Sequence, residues 1–582
     1  MKTPAVDDGP SAVIREPSQG RPIFVTPGET FYFVMRLTPE VKGDVSFALL
    51  HSIETSIRVP LKPTTPPSYV NNEYCSLILQ VPATIAPGLY DIQVKADGAV
   101  YSAPRSVKIV DTFKDKFRFV HLSNMNIGDL TAPNFDEMLP AEINLLAPEF
   151  IIATGDYTEW ARARDDASSW PKVLKFFERF NAPVFMLCGS HDHEASFTRF
   201  VASKPIGTID YGNYHGLLLL DHPGNPIDQD FSQVQWVEAD LKRNRNKRFN
   251  FIASNSDELG LLDIWREGGN VQDFIRDHKI KLILTGGATD WDFKEFAEKL
   301  QGIDGLSFVR THESSTSLRD RATGFSHYRV IEVDDDQLAF AYPNDSAPEN
   351  LQHSIPTGRL RAYFDGPNDG TLSTLAVTIQ NALNQSFENA HVWLRIAKAP
   401  NGRKPDVAPG RLVQAIDCGK HWACDVAYDL PDKGAVRIVA SVDPQAIPPP
   451  LPIEIALEGP REWAFAAATT DFGLSYFESN AGARLKLRNK SGSRLSCWPV
   501  IRINGSQINP DPKACPKLPL LLEPEKEISI PLVLNLRRIS PGNHALQVHF
   551  LEDPLCRLST FDVTLAHRQE AAASADKSGL SN

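Results

Sequence analysis

The first 112 residues contain short runs in which apolar and polar residues alternate, and Pro or Gly interrupts these runs. Successive side chains of a strand point to opposite faces, so the alternation predicts strands with one buried face. The clearest runs are IFVTPGETFYFVMRL, GDVSFALLH, YCSLILQVP and GLYDIQVKADG. Short strands separated by turn residues are typical of β-sandwiches. Residues 1–112 are therefore predicted to form an N-terminal β-sandwich of the immunoglobulin-like or fibronectin-like kind.

From residue 113 to residue 345, buried apolar runs alternate with stretches of helical spacing. The apolar runs have the length of strands and read KFRFVHLS, EFIIATGD, APVFMLCGS, HGLLLLD, NFIASN and IKLILTGG. The stretches with helical spacing read WPKVLKFFERF, FSQVQWVEADLKRN and NVQDFIRDH. Alternation of strands with helices predicts a layered α/β domain over residues 113–345.

Beyond residue 345 the chain returns to strand-type alternation. Two further β-sandwich modules are predicted, over residues 356–459 and 462–568. The Pro-rich segment QAIPPPLPIEIALEGP joins them and is predicted to be stiff and extended. Residues 569–582 are polar and low in complexity, which predicts a disordered tail. The chain is thus predicted to be multidomain, of mixed α/β and β class.

Composition narrows the possible functions. The chain has 582 residues and a formal net charge of −12, and no basic block stands out, so nucleic acid is not an expected partner. No apolar run approaches the roughly 18 residues that span a membrane. The N-terminal residues lack the apolar core of a signal peptide, although a leader already removed would leave the same sequence. Seven Cys are present, and Cys418 and Cys424 are either bridged across a hairpin or free.

Polar clusters follow five of the apolar runs in the α/β region. They are Asn124-Met125-Asn126, Gly155-Asp156-Tyr157-Thr158-Glu159, Gly189-Ser190-His191-Asp192, Ser254-Asn255-Ser256 and Gly286-Gly287-Ala288-Thr289. Active sites of open α/β sheets form at the carboxyl ends of strands. Five such clusters therefore predict one site. His121, which precedes the first cluster on its strand, is predicted to be a packed core histidine.

With these clusters in this order, residues 113–345 resemble the calcineurin-like metallophosphoesterase superfamily. The branch with purple acid phosphatase-like and cyclic-nucleotide phosphodiesterase-like enzymes is the most similar. The resemblance extends to YGNYHGLLLLD, QVQWVEADLKRN and GFSHYRVIEVDDD. It implies a central four-layer α/β sandwich, flanked here by one N-terminal and two C-terminal β-sandwiches.

The family motifs are Asp-x-His, Gly-Asp-x-x-Asp/Glu, Gly-Asn-His-Asp/Glu, a lone His and Gly-His-x-His. Their ligands hold two metal ions about 3.5 to 4 Å apart, which activate a water and clamp a phosphate. In this sequence Asp156 is the one ligand that is retained. The other six ligand positions are occupied by Asn124, Asn126, Ser190, Asn255, Gly287 and Thr289. His191 and Asp192 match the family's phosphate-side His and the acid that orients it, and are interpreted as vestigial catalytic residues.

A carboxylate alone cannot offset the charge of two adjacent divalent ions. Gly287 and Thr289 also supply no imidazole, so no metal or other cofactor is expected. Substitute ligands close to the motifs in sequence are Asp290, Asp292, His193, Asp257 and Glu258. If they rebuilt a site, the protein would be an active hydrolase that uses Mn, Zn or Fe.

The leading hypothesis is a catalytically inactive, metallophosphoesterase-like protein that serves as a structural, scaffold or binding subunit. Its expected partner is another protein or a cell-surface component such as a glycan. The β-sandwich modules suggest an extracytoplasmic or secreted location by analogy of fold. The alternative is a divergent metal-dependent phosphoester hydrolase. A third hypothesis keeps the pocket as a sensor in which His191 and backbone N–H groups bind an anion without turnover.

Overall fold

The computed structural model describes most of the chain in sixteen segments. These are residues 13–36, 45–70, 73–96, 98–127, 137–158, 169–222, 226–255, 260–269, 271–288, 305–315, 326–340, 354–469, 475–503, 506–508, 518–536 and 542–567. The chain forms two compact units, Met1–Arg361 and Ala362–Asn582. None of the described helices is long and apolar enough to cross a membrane.

The N-terminal part of the first unit consists of strands. They are β1 (Ile14–Glu16), β2 (Ile23–Val25), β3 (Thr30–Arg36), β4 (Val45–His51), β5 (Arg58–Pro63), β6 (Ser68–Val70), β7 (Tyr74–Gln80), β8 (Gly88–Ala96) and β9 (Ala99–Ile109). Their order in the sheet is β1-β3-β7-β5-β4-β8-β9-β2, and β6 pairs with β7. The alternation seen in the sequence gives one buried face, with Phe33, Leu49, Leu77 and Ile92 in a shared core.

The rest of the first unit alternates strands and helices. Its elements are β10 (Lys116–Leu122), α1 (Met138–Leu146), β11 (Ile151–Ala153), α2 (Trp170–Phe177), β12 (Val184–Met186), α3 (Glu194–Phe200), β13 (Gly207–Tyr211), β14 (Tyr214–Leu218), a 3₁₀ turn (Ile227–Gln229), α4 (Phe231–Arg243), β15 (Phe249–Ser254), α5 (Gly260–Glu267), α6 (Val271–Asp277), β16 (Ile280–Ala288), β17 (Ser307–His312), β18 (His327–Asp334), β19 (Gln337–Phe340) and β20 (Ile355–Pro356).

These strands form two sheets that pack face to face. One sheet has the order β12-β11-β10-β18-β19, and the other has the order β13-β14-β15-β16-β17. Phe117 and Phe119 from the first sheet share a core with Phe251 and Leu284 from the second. Strands β10 to β12 are parallel to one another, as are β14 to β17, so each group ends at one edge of its sheet.

Helix α4 shows how local sequence positions an element on these sheets. Asp230 caps its N-terminus by accepting hydrogen bonds from the N–H groups of Ser232 and Gln233, both at 3.1 Å. Val234 and Val237 lie on one face at helical spacing and join a core with residues of β15 and β16. The helix therefore covers the outer face of the second sheet.

The N-terminal segment between β1 and β2 is built into the α/β region. Ser18 Oγ donates to the carbonyl of Val201 at 2.7 Å, and the N–H of Met186 donates to the carbonyl of Gly20 at 3.0 Å. The Phe24 ring lies 5.2 Å from the ring of Tyr211, between the two sheets. The segment between β1 and β2 therefore packs against the α/β part of the first unit.

The second unit consists mainly of strands, together with a 3₁₀ turn (Pro444–Ala446). They are β21 (Leu360–Phe364), β22 (Thr374–Asn381), β23 (Phe387–Ala397), β24 (Asp406–Ala408), β25 (Arg411–Asp417), β26 (His421–Leu430), β27 (Ala435–Ser441), β28 (Ile453–Glu458), β29 (Glu462–Thr469), β30 (Ser475–Asn489), β31 (Leu495–Cys497), β32 (Pro499–Ile503), β33 (Ser506–Ile508), β34 (Leu520–Leu522), β35 (Glu527–Leu536), β36 (Gly542–Phe550) and β37 (Ser559–His567). Their sheets have the orders β21-β22-β27-β24, β23-β26-β25, β28-β30-β29-β37-β36-β32-β33 with β35 beside β30, and β31-β34.

A buried asparagine closes a turn at the end of β22. The amide nitrogen of Asn381 donates to the carbonyls of Gln385 at 2.8 Å and Pro431 at 2.9 Å. Its Oδ1 accepts from the N–H of Leu383 at 2.8 Å. One side chain thus joins its own turn to the turn after β26.

Asn489, at the end of β30, repeats this arrangement. Its amide nitrogen donates to the carbonyls of Ser493 at 2.8 Å and Leu522 at 3.0 Å. Its Oδ1 accepts from the N–H of Ser491 at 2.8 Å, and Asn489 is fully buried. We call Asn381 and Asn489 the asparagine bridges of the second unit.

The predicted multidomain chain of mixed α/β and β class is confirmed in its coarse form, and the described residues are mostly strand. The four-layer arrangement, the immunoglobulin-like form of the modules and the domain limits at residues 112, 345, 356, 459, 462 and 568 stay predictions. The tail predicted over residues 569–582 lies outside the described residues. No disulfide joins Cys418 to Cys424, and the strand register places Ala415 opposite Cys424.

Candidate functional site

The loops that follow β10 and β11 run side by side at the edge of the first sheet. The N–H of Asn124 donates to the carbonyl of Gly155 at 3.2 Å, and the N–H of Asn126 donates to the carbonyl of Asp156 at 3.0 Å. Asn124, Asn126 and Asp156 all have left-handed backbones, with φ of 47°, 48° and 55°. Asn and Asp tolerate this region better than other side chains, so these residue types suit the turn itself.

Glycines allow the strand-end loops to touch through their backbones. A Cβ on Gly189 would lie 2.3 Å from the backbone nitrogen of Asp156. A Cβ on Gly286 would lie 2.3 Å from Ser123 Oγ. The loops that follow β10, β11 and β12 therefore meet one another and the end of β16 at one place.

Asp156 is 4% exposed and holds the loop after β12. Its Oδ1 accepts a hydrogen bond from the N–H of His191 at 2.9 Å and another from Ser190 Oγ at 3.3 Å. One carboxylate oxygen of Asp156 is thus engaged by two donors of the protein.

Asp192 fastens the loops after β11 and β12 together. Its two oxygens accept the N–H groups of Gly189, Asp156 and Tyr157, each at 2.9 Å, and that of Thr158 at 3.3 Å. Burial and the charge of Asp156 raise the pKa of Asp192, and the backbone N–H groups oppose that rise. These contacts are those of a loop clamp, whereas the side chain of His191 is exposed.

Asn255 bridges two loops from the end of β15. Its Oδ1 accepts the N–H of Ser190 at 3.0 Å, and its amide nitrogen donates to the carbonyl of Thr154 at 2.8 Å. An amide can both donate and accept, which a carboxylate cannot do, so this bridge requires a neutral side chain such as Asn.

The two asparagines of the first motif differ in their contacts. Asn124 Oδ1 accepts a hydrogen bond from Ser123 Oγ at 2.8 Å. Asn126 is 3% exposed, and its Oδ1 has no hydrogen-bond partner. A buried acceptor without a donor costs about 1–3 kcal/mol, so Asn126 is the unsatisfied member of the group.

The remaining predicted positions are less informative. Gly287 lies in β16 and brings no side chain, and Thr289 and Glu159 lie outside the described residues. The same holds for four of the five substitute ligands, Asp257, Glu258, Asp290 and Asp292. The fifth, His193, precedes α3, and its Nδ1 lies 3.5 Å from Ser196 Oγ.

The described residues do not fit the family's two-metal centre. Asp156 is the only carboxylate among the seven positions that match the family's ligands. Within the described ranges, no cluster of three or more His, Cys, Asp or Glu side chains includes Asp156. The amide of Asn255 is occupied at both ends, and Asn124 Oδ1 already accepts a hydrogen bond. Asn126 keeps an unengaged amide oxygen, but a single neutral oxygen beside Asp156 cannot replace the several carboxylates and imidazoles that hold such ions.

Buried polar residues form a layer beneath the site, and the sequence predicted the burial of His121 but not that of Arg329. His121 is fully buried, as predicted, and bonds Thr154 Oγ1 at 3.0 Å and Thr311 Oγ1 at 2.6 Å. Burial and the nearby charge of Arg329 lower the pKa of His121 to about 3, so the ring is neutral. Sequence reasoning missed Arg329, although an Arg inside the apolar run HYRVIEV is a visible signal of a buried charge.

At low similarity, the chain resembles solved structures of the metallophosphoesterase fold. PhoD matches with 10% identity and a TM-score of 0.34, over 66% of this chain and 92% of PhoD. A purple acid phosphatase from yellow lupin seeds matches with 10% identity and a TM-score of 0.33, over 61% of this chain and 70% of the phosphatase. GAP50, titled the anchor in the inner membrane complex of Plasmodium, matches with 8% identity and a TM-score of 0.30. The match covers 42% of this chain and 89% of GAP50.

No family model matches the chain, and no curated protein matches it. At the identities and TM-scores of the solved structures, none of the three assigns a function to this chain.

Proposed function

We propose that this protein is a catalytically inactive relative of the metallophosphoesterases that acts as a structural, scaffold or binding subunit. Its α/β part would keep the arrangement of strand-end loops without the metal chemistry. The proposal includes a four-layer α/β core over residues 113–345, flanked by immunoglobulin-like modules over residues 1–112, 356–459 and 462–568.

The observation that carries this proposal is the bridge made by Asn255. In the family this position is a metal-ligating His, whereas here its amide ties Ser190 to Thr154. Both groups of the Asn255 amide already hold these two loops, and a neutral amide oxygen that accepts a hydrogen bond is a poor substitute for the imidazole of a metal site. The position is therefore used for the stability of the fold.

The partner that we propose is another protein or a cell-surface component, and the location that we propose is extracytoplasmic. Both follow from the three predicted β-sandwich modules, which commonly present binding surfaces on such scaffolds. A pull-down with the full chain as bait would test the first. The expected result is a stoichiometric partner that is retained when Asp156 is replaced by Ala.

Metal content is the direct test of inactivity. The full chain is incubated with Mn²⁺, Zn²⁺ and Fe²⁺, dialysed and measured by inductively coupled plasma mass spectrometry beside the variant Asp156→Ala. We expect both proteins to retain far less than one equivalent of any metal. Phosphomonoester and phosphodiester hydrolysis should be the same in both and equal to the buffer control.

One or two retained equivalents that disappear in Asp156→Ala would overturn the proposal. Such a result would favour the alternative, a divergent hydrolase with a rebuilt metal site. Phosphate or nucleotide binding without metal, measured by calorimetry and lost in His191→Ala, would instead favour the anion-sensor hypothesis.

A further inference from the structure

The second unit contains a cavity of about 340 Å³ beside strands β22 and β27. Ligand sites of proteins commonly have volumes of about 300–1,000 Å³, so this cavity is large enough for a small organic molecule. It belongs to the second unit, whereas the candidate site belongs to the first. Its lining includes an apolar floor and one pair of opposite charges, and these two features determine what it can bind.

The floor of the cavity is apolar and buried. Ala376 and Val439 lie opposite each other in the β22–β27 register, and they share a small core with Leu555 from the loop after β36. All three residues line the cavity and are less than one-tenth exposed. The floor therefore favours a ligand with an aliphatic part, because apolar atoms that leave water gain free energy there.

Two walls of the cavity are held together by hydrogen bonds. Asp553 accepts the N–H of Leu555 at 3.0 Å and the guanidinium of Arg557 at 2.8 Å. Arg557 also donates to the carbonyl of Pro449 at 3.3 Å and to that of Pro448. Because Leu555 and Pro448 both line the cavity, this network fixes its shape before a ligand arrives. A preformed site reduces the ordering cost of binding.

The rim carries one cation and one anion. Arg437 Nη1 donates to Asp365 Oδ1 at 3.2 Å and to Thr378 Oγ1 at 3.5 Å, and Nη2 donates to Asp365 Oδ2. The side chains of Arg437 and Asp365 are 37% and 48% exposed, and both line the cavity. A guanidinium has five N–H donors and a carboxylate has about four acceptor sites, so each group keeps capacity for a ligand beside its partner.

The paired charges select the class of ligand. A ligand with only a negative charge would be repelled by Asp365, and a ligand with only a positive charge would be repelled by Arg437. A wholly apolar ligand would cover the pair without replacing its contacts with water, which costs free energy. An α-amino acid carries an ammonium and a carboxylate on one carbon, so it can donate to Asp365 and accept from Arg437 at the same time.

We propose that this cavity binds a free α-amino acid with an aliphatic side chain of about the size of leucine. The side chain packs on Ala376, Val439 and Leu555. The ammonium donates to Asp365, and the carboxylate accepts from Arg437. This inference does not rest on the proposed function.

Saturation-transfer NMR of the full chain, titrated with L-leucine, tests this proposal. Three analogues each lack one feature of leucine: 4-methylpentanoate has no ammonium, 3-methylbutylamine has no carboxylate, and glycine has no aliphatic side chain. We expect leucine to bind at least about tenfold more tightly than each analogue, because each loses a charged hydrogen bond or the apolar contact. Asp365→Asn, which removes the partner of the ammonium, should weaken leucine binding about tenfold.

Two further variants locate the site. Asp406→Asn is the matched control, because Asp406 forms a similarly exposed ion pair with Arg403 in the same unit but does not line the cavity, and it should bind leucine like the native chain. Ala446→Phe places a ring at the edge of the cavity and should abolish binding. Its unfolding temperature should be unchanged, because Ala446 is exposed.

Four results would each overturn the proposal. They are no saturation transfer to leucine, equal binding of the analogues, full leucine binding in Asp365→Asn or Ala446→Phe, and a loss in Asp406→Asn as large as that in Asp365→Asn. Equal binding of the neutral N-acetyl-leucinamide would show that the cavity accepts a peptide rather than a free amino acid, and would overturn the proposal in the same way.

Discussion

Buried asparagines tie loops together in both units, but the loops around them differ. In the second unit, Asn381 and Asn489 each satisfy both ends of the amide, and Gly492 in the Asn489 turn has open space around it. At the candidate site, Asn255 is equally saturated, yet Asn126 keeps an unpartnered oxygen and the loops touch through glycine. An asparagine stabilises a loop when its amide oxygen and nitrogen both form hydrogen bonds. The unpartnered Oδ1 of Asn126 therefore lowers the stability of the fold at the candidate site.

The largest effect that this comparison predicts concerns two glycines in turns tied by asparagine. A Cβ on Gly189 would lie 2.3 Å from the backbone of Asp156, whereas a Cβ on Gly492, in the Asn489 turn, meets nothing within 4 Å. We expect Gly189→Ala to cost about 4 kcal/mol or more, because the new Cβ would overlap both the backbone nitrogen and the buried carboxylate of Asp156. Gly492→Ala is the matched control and should change the free energy of unfolding by less than about 0.5 kcal/mol. Calorimetry of the two variants checks this prediction, and equal shifts in their unfolding temperatures would contradict it.

The next effect concerns the asparagine bridges. Asn489→Ala removes an amide that makes hydrogen bonds to Ser491, Ser493 and Leu522 in a fully buried turn. We expect a loss of about 2–4 kcal/mol in the second unit, because three backbone groups lose their partner. Urea unfolding measures this loss. Asn401→Ala, at an exposed turn, should have no comparable effect.

His215 forms a bridge between two carboxylates, and its contribution to stability should depend on pH, unlike that of the neutral asparagine bridges. His215 lies between Asp210 and Asp240, with N–O distances of 2.9 and 2.6 Å. Burial lowers the pKa of His215, but its hydrogen bonds to both carboxylates outweigh burial, and the net pKa is raised. This stabilisation is complete below the ordinary pKa of histidine and is lost as the pH rises through the raised value.

We therefore expect the first unit to lose about 1 kcal/mol of unfolding free energy between pH 6 and pH 9, a modest value because Asp210 is largely exposed. His215→Gln should remove this slope, while Asn489→Ala should leave it unchanged. Urea unfolding at the two pH values decides the matter, and identical slopes in the native chain and His215→Gln would contradict the assignment.

The smallest predicted effect tests the unsaturated asparagine. Asn126→Gly removes the unpartnered Oδ1 and suits the left-handed backbone, so stability should change by less than about 0.5 kcal/mol or rise slightly. Asn255→Gly, which removes a saturated bridge, should cost about 2 kcal/mol. Thermal unfolding of both variants compares the two positions, and a larger loss in Asn126→Gly would show that its side chain has a partner.

Much of the fold could be predicted from local pattern. The alternation around Phe33 and Leu49 predicted strands, and the apolar runs that end at Asn124, Asp156, Ser190 and Asn255 predicted loops that meet at one site. Such patterns are readable because a strand or helix repeats its buried face at a fixed period. The residue types at these strand ends were equally visible, because they are read directly from the sequence.

The sequence by itself determined the coarse class of fold and the polar residue types that end the strands of the α/β part. Only the tertiary structure decided which buried polar groups are partners. Asn255 meets Thr154, 101 residues away, and Arg502 bypasses the carboxylate of Asp432 for its carbonyl. The packing of Phe24 between the sheets of the α/β region was equally hidden. The local period of apolar residues predicts which side chains are buried. Hydrogen-bond partners cannot be predicted in this way, because residues far apart in sequence come within bonding distance only in the folded chain.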